Sequence, residues 1–244
     1  MTAQRVAFVT GGAQGIGRAI AARLAEDGFH VMVADLQARA AEQAANEIAA
    51  SGGKAEGIGL DIRDRAAVSA AFDRLPRIDV AVNNAGIFTD RPFFELTEQD
   101  FDLAHQVNVV GLFIVAQEAA RRMEEGGRII NIASRAFLGA RGHAHYVASK
   151  AAVVGLTRAM AIELAARGIS VNAVAPGLID TPILRALSEE RMKYQLSLQP
   201  TGKAGQPEDI ANAVAFFAAP RTGFVTGQTL LVDGGKSLGG GMGL

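Results

Sequence analysis

Short, nearly continuous apolar runs alternate along this chain with longer segments in which apolar residues recur every three or four positions. The runs "RVAFVT" (5–10), "HVMVAD" (30–35), "KAEGIGL" (54–60), "IDVAVNN" (78–84), "RIINIAS" (128–134), "ISVNAVAP" (169–176) and "QTLLVD" (228–233) predict strands. Most lack polar alternation, as expected of parallel strands covered on both faces. Segments 15–28, 37–51 and 64–75 predict helices; in the first, Ile16, Ile20 and Leu24 share a stripe that Gly28 ends. Two longer helices are expected, one opening at Thr97 with Asp100 in the capping position and running toward Glu125, the other carrying residues 144–168. Strand–helix alternation throughout predicts an α/β fold, a doubly wound parallel sheet of about seven strands with helices on both faces. Residues 182–203 break the rhythm and read as a substrate-loop insertion within a single domain, 1–244.

Composition narrows the classes. A chain of 244 residues that is 49% hydrophobic and 20% charged suits one globular domain. Its net charge of −1, without a run of either sign, argues against a nucleic-acid or anionic-membrane partner. The absence of cysteine excludes disulfides and thiolate metal sites. With no signal-like N-terminus and no apolar run of about 18 residues, a soluble, cytoplasmic protein is expected.

Chemistry first shows in "VTGGAQGIGRAI" (9–20), between the first strand and the first helix. Gly11 permits a tight turn, Gly15 lets backbone approach a pyrophosphate, and Gly17 lets helix pack on strand. The helix start then offers free N–H groups to phosphate. Asp35 closes the second strand, 18 residues after Gly17, where a carboxylate can accept both ribose hydroxyls of an adenosine. A ligand-free turn and an ordinary strand-end aspartate fit the same residues. A second glycine cluster, "DGGKSLGG" (233–240), mimics the end of a phosphate loop, but the earlier glycine it requires is Leu230 and no helix is expected after it.

Tyr146 and Lys150 in "YVASK" project from one helix face. At about 4 Å and an effective dielectric near 20, the ammonium favours phenolate by roughly 4 kcal/mol, or about three pKa units. That would bring the phenol toward neutral pH, where a general acid/base works best. Spacing alone fits a surface contact equally well.

Taken together, T-G-x-x-x-G-x-G, "NNAG" (83–86), Asn108, Ser134 and Y-x-x-x-K resemble the short-chain dehydrogenase/reductase family, in order and over nearly the whole chain. The resemblance implies a Rossmann-like sheet, with Tyr146 as proton donor and acceptor and Lys150 lowering its pKa and holding the nicotinamide ribose. Ser134 would bond the substrate oxygen, and Asn108 would fix a water that continues the proton relay. The turn Gly11, Gln14, Gly15, Ile16, Gly17 would hold the pyrophosphate, with Asp35 and Leu36 at the adenosine ribose. Asp61 and Ile62 would flank the adenine, with Asn83, Ala85 and Gly86 bordering the cofactor. "PGLIDT" would place Pro176, Gly177, Ile179 and Thr181 at the carboxamide. Gln14 and Leu36 are neutral where NADP-using members usually carry a base, so the implied cofactor is NAD.

The chain departs from the family in one place: Ser134 and Tyr146 are 12 residues apart, one fewer than in many members. The shortened loop puts Phe137, His143 and His145 near the expected substrate mouth, and the histidines lack a third partner at metal-ligand spacing, so no metal is expected. Phe88, Phe93, Phe94, Phe137, Leu178, Ile183 and Leu184 predict a mainly apolar cavity. The reading is an oxidoreductase on a small secondary alcohol or ketone. Its rivals are a 3-oxoacyl thioester reductase, an epimerase or dehydratase, and a nicotinamide sensor without catalysis. The family and two apolar long helices point to a homotetramer.

Overall fold

In the computed structural model, which describes residues 4–239, the apolar runs become seven strands: β1 Val6–Thr10, β2 His30–Asp35, β3 Lys54–Gly59, β4 Val80–Asn83, β5 Arg128–Ile132, β6 Ser170–Pro176 and β7 Thr229–Val232. All pairings are parallel, in the order β3-β2-β1-β4-β5-β6-β7. The order reverses direction between β1 and β4, which opens a crevice at the carboxyl ends of the strands.

Strand periodicity sorts the side chains into two layers. Ala7, Val9, Val31 and Val33 meet Ile20 and Leu24 of α1 (Gly15–Glu26), Ile48 of α2 (Ala38–Ala50), and Val214 of the helix Pro207–Ala218. Phe8, Met32 and Ile129 face the other way, onto α3 (Arg65–Asp73) and two later helices. The Phe8 and Phe72 rings lie 4.3 Å apart; burying a ring of this size stabilises by about 1.5–3 kcal/mol. The fold is the expected doubly wound α/β sheet with helices on both faces.

The helix expected from Thr97 to Glu125 is interrupted. Its start is as read: Thr97 Oγ1 accepts the Asp100 N–H, and the Asp100 carboxylate accepts the Thr97 N–H at 2.9 Å. After α4 (Glu98–His105), however, residues Gln106–Gly111 widen into a π-helical turn before α5 (Leu112–Arg122) resumes. Gly111 closes the π turn at a point where no side chain fits, since a Cβ there would sit 2.7 Å from Ile62 Cδ1. The helix stops at Arg122, where Met123 turns extended.

α6 spans Ala144–Leu164. The segment read as an irregular insertion holds two short helices, α7 (Pro182–Arg185) and α8 (Glu189–Ser197), the latter capped by Ser188. α9 (Pro207–Ala218) follows. Among the described residues, no helix is long and apolar enough to cross a membrane.

Candidate active site

The glycine turn is stapled to the end of β4. Thr10 Oγ1 accepts the N–H groups of Asn84 and Ala85, each at 3.1 Å, and Asn84 Nδ2 donates to the carbonyls of Thr10 (3.0 Å) and Gly11 (2.9 Å). Gly11 has φ +62°, and a Cβ on Gly17 would lie 2.0 Å from the Gly11 carbonyl oxygen. Gly15 is different: at φ +53° its outer side is open, its nearest neighbour being the Thr181 methyl, 3.6 Å from a Cβ placed there. α1 has no side-chain cap from Gln14 and no acidic residue in its first turn. Its leading N–H groups and positive dipole end therefore face an uncrowded backbone, which fits a pyrophosphate.

At the end of β2, Asp35 leans on the same turn. One carboxylate oxygen accepts the Ala13 N–H at 3.3 Å and the other accepts the Gln37 N–H at 3.1 Å. Gln14 and Leu36 are exposed and neutral, Leu36 at 70%.

The sequence-predicted quartet converges on the carboxyl ends of β4 and β5. Asn108 lies in the π turn, fully buried; its Oδ1 accepts the Ile87 N–H (2.8 Å), and its Nδ2 donates to the Ile87 carbonyl (3.1 Å) and to Ser149 Oγ (3.0 Å). Ser149 in turn donates to the Tyr146 carbonyl at 2.8 Å. Both amide hydrogens of Asn108 are thus committed. A water at this residue must be held by its second Oδ1 lone pair or by main-chain carbonyl freed in the π turn. Ser134 Oγ accepts the Ala136 N–H at 3.1 Å, which leaves its own proton to donate toward Tyr146 or a substrate oxygen beside it. Lys150 Nζ is buried and donates to the Ile132 carbonyl at 2.8 Å. Gly86 admits this crowding, since a Cβ there would stand 3.0 Å from Asn108 Oδ1 and 3.6 Å from Lys150 Nζ.

The expected lowering of the phenol pKa does not appear. Lys150 Nζ is 5.7 Å from the centre of the Tyr146 ring and is turned to a carbonyl. Burial raises the Tyr146 pKa above its ordinary value, and the adjacent Ser134 hydroxyl only partly opposes this. Burial also lowers Lys150 from 10.5 to about 8. Desolvation sets the direction of both shifts.

Several side chains at positions implied for the cofactor are engaged within the protein itself. Asn83 is buried, and its Nδ2 donates to Asn131 Oδ1 at 2.8 Å, inside the sheet. Ile62 and Ile179 are core residues, and Ile16 packs against the core. The Asp61 carboxylate is held at 2.6 Å by the Arg63 guanidinium, which keeps its pKa below the usual range. Pro176 ends β6, Gly177 abuts Asp233, and Thr181 stands beside Gly15. Asn84 was missed, although its place in "NNAG" between two residues assigned to the cofactor was the available signal.

Around the mouth, Phe88 stands edge-on to Tyr146 at 5.0 Å and to His143 at 5.1 Å. His143 lies 3.8 Å from Asp90, which also pairs with Arg191 of α8 at 2.6 Å. Burial holds the His143 pKa below its ordinary value, with Asp90 opposing. His145 turns away and bonds Thr89 at 2.7 Å. Phe93 and Phe94 are 70% and 98% exposed and do not enclose a cavity; Phe137 and Leu178 are half-buried and Leu184 is buried, while the Ile183 side chain lies outside the described residues. No group of acids and histidines among the described residues is arranged to hold a metal.

Comparison with known proteins agrees with the fold. The family model described as enoyl-(acyl carrier protein) reductase matches residues 11–237. A subunit of (2S)-[(R)-hydroxy(phenyl)methyl]succinyl-CoA dehydrogenase from Thauera aromatica is 46% identical over 240 residues, 96% of this chain and 97% of the relative. A 3-oxoacyl-[acyl-carrier-protein] reductase from Aquifex aeolicus is 39% identical, covering 95% and 96%. A blue fluorescent protein from a metagenomic library, solved with NADPH, superposes with a TM-score of 0.88 at 41% identity, over 95% of this chain and 97% of that one.

Proposed function

This chain belongs to the short-chain dehydrogenase/reductase family of nicotinamide-dependent oxidoreductases, and on that premise we propose that it is NAD-dependent and acts on a secondary alcohol or its ketone. The observation that carries the cofactor choice is Asp35, bonded to the glycine turn and flanked by the neutral Gln14 and Leu36. A 2′-phosphate would meet a carboxylate there with no base at either position. A relative solved with NADPH shares 41% identity, so the choice rests on these three residues rather than on the family.

The open Gly15 and the uncapped start of α1 would hold the pyrophosphate, Asp35 the adenosine ribose, and Lys150 the nicotinamide ribose. When bound, the dinucleotide supplies or accepts the hydride. Tyr146 gives or takes the proton at the substrate oxygen, and the hydroxyl proton of Ser134 holds that oxygen in place. Lys150, with one N–H on Ile132, keeps two more N–H donors for the cleft. Asn108 fixes Ile87 and Ser149, and through them the helix turn that carries Tyr146. Assistance of this kind is worth about 10²–10⁴ in rate.

A 3-oxoacyl thioester is the second substrate reading, favoured by the names of the two relatives above. Residues 182–203 are proposed to cover the substrate. A homotetramer is proposed on the exposed apolar residues Phe216 and Leu230, on α9 and the edge strand β7. The deciding assay follows NADH formation from a panel of secondary alcohols and 3-hydroxyacyl thioesters. No NADH from either class would refute the reading.

A further inference from the structure

Arg135 directly follows Ser134 and opens a short 3-10 turn, Arg135–Leu138. Lys236 opens another, Lys236–Leu238, after β7. β5 and β7 flank β6, so their carboxyl ends lie roughly 10 Å apart on the edge that carries the crevice. The turn bearing Lys236 is braced: Asp233 accepts the N–H groups of Gly235 (3.0 Å) and Ser237 (2.8 Å), and its Cα lies 2.6 Å from a Cβ placed on Gly177. Both cations are half-buried, and neither forms an ion pair or hydrogen bond among the described residues.

Their charges reach one another. Burial and the Arg135 charge hold the Lys236 pKa below its ordinary value, and Asp233 offsets this only in part. The Arg135 charge also bears on His143, one turn before Tyr146. Two like charges, which Asp233 neutralises only in part, therefore stand by the turn that follows Ser134, an arrangement that a further anion would stabilise. A guanidinium presents paired N–H donors to a carboxylate, and an ammonium adds a point charge. Phosphate suits the place less well, because the glycine cluster 233–239 leads into a three-residue turn and not into a helix with free N–H groups.

We infer that Arg135 and Lys236 form a subsite for a substrate carboxylate, so that the alcohol or ketone taken by this chain is also an acid. This deepens the reading of Ser134 and Tyr146 as the pair that meets the reacting oxygen, and rests on it.

The test titrates the protein–NADH complex with succinate and with dimethyl succinate, following heat or NADH fluorescence. Succinate is expected to bind at least tenfold more tightly than its ester, and Arg135→Met and Lys236→Met are each expected to weaken succinate at least tenfold while leaving the ester unchanged. Equal binding of acid and ester, unchanged succinate binding in both variants, or inorganic phosphate binding more tightly than succinate overturns the assignment. The two readings fail separately. Loss of succinate binding in the variants of a protein that oxidises no alcohol keeps the subsite and removes the reaction. NADH formation from neutral alcohols, with acid and ester bound equally, removes the subsite and keeps the reaction.

Discussion

Replacing Lys150 by methionine separates the electrostatic cost of its amine from its chemistry. The amine is buried, its hydrogen bond goes to the neutral Ile132 carbonyl, and burial lowers its pKa from 10.5 to about 8. The unfolded chain therefore holds this proton more tightly than the native chain does. Below about pH 8 both states are charged and the native state carries the full cost. As pH rises from 8 toward 10.5 the native amine is already neutral while the unfolded one is not, and stability increases. The difference between the two pKa values is worth roughly 3 kcal/mol at about pH 7, of which about 2 kcal/mol is regained by about pH 9.5. Methionine removes the charge and leaves Ile132 without its donor, a loss of about 1–3 kcal/mol at every pH. The two effects nearly cancel at neutral pH, so the diagnostic quantity is the change with pH. Lys236 and His143 titrate alike in both proteins, and Tyr146, with its raised pKa, stays protonated through this range. Urea unfolding of both apoproteins at about pH 7 and pH 9.5 should show the parent gaining about 2 kcal/mol on the variant. A difference that does not move with pH would show that the native amine is not desolvated, and the argument would fail.

Tyr146→Phe should reduce turnover at least about a hundredfold while NADH still binds, measured by steady-state kinetics and fluorescence titration; near-normal turnover sinks the proposed proton transfer. The parent should prefer NAD⁺ over NADP⁺ by at least about a hundredfold in kcat/KM, a difference of about 2.7 kcal/mol. Asp35→Ser with Leu36→Arg should move that preference toward NADP⁺, and equal use of both cofactors by the parent would show that Asp35 does not face the ribose. Asn84→Ala removes both amide bonds to the glycine turn and should weaken NADH at least about tenfold, because two turn carbonyls lose donors worth roughly 1 kcal/mol or more each. An unchanged NADH dissociation constant would refute the staple.

The sheet was legible because its inner strands are buried on both faces, and continuous apolar runs such as "RVAFVT" have few other stable placements. The glycine turn was legible because Gly11 and Gly17 sit where no Cβ fits. The break in the Thr97 helix was not, since Gln106–Gly111 carries no proline to mark it, and the contact that leaves no room for a side chain at Gly111 comes from Ile62, far away in sequence. Side-chain direction was equally hidden. Asn83 and Ile179 occupy motif positions, yet their side chains turn into the sheet, which a motif written in residue types does not record. The sign of the Tyr146 shift failed for the same reason: spacing placed the two groups on one face, but not how deeply either is withdrawn from water.

The staple formed by Thr10 and Asn84 has a bearing on laboratory evolution. It ties the glycine turn to the sheet through four hydrogen bonds between the ends of β1 and β4. By contrast, α8 meets the loop after β4 through a surface ion pair, Arg191 with Asp90, which is worth at most about 1 kcal/mol. Randomised libraries placed in 87–94, 135–143 and 184–199 would therefore disturb little of what positions the turn. Libraries that touch Thr10 or Asn84 would spend most of their members on chains that have lost it. The chain is built so that specificity can be rewritten on one side of the crevice without reopening the other.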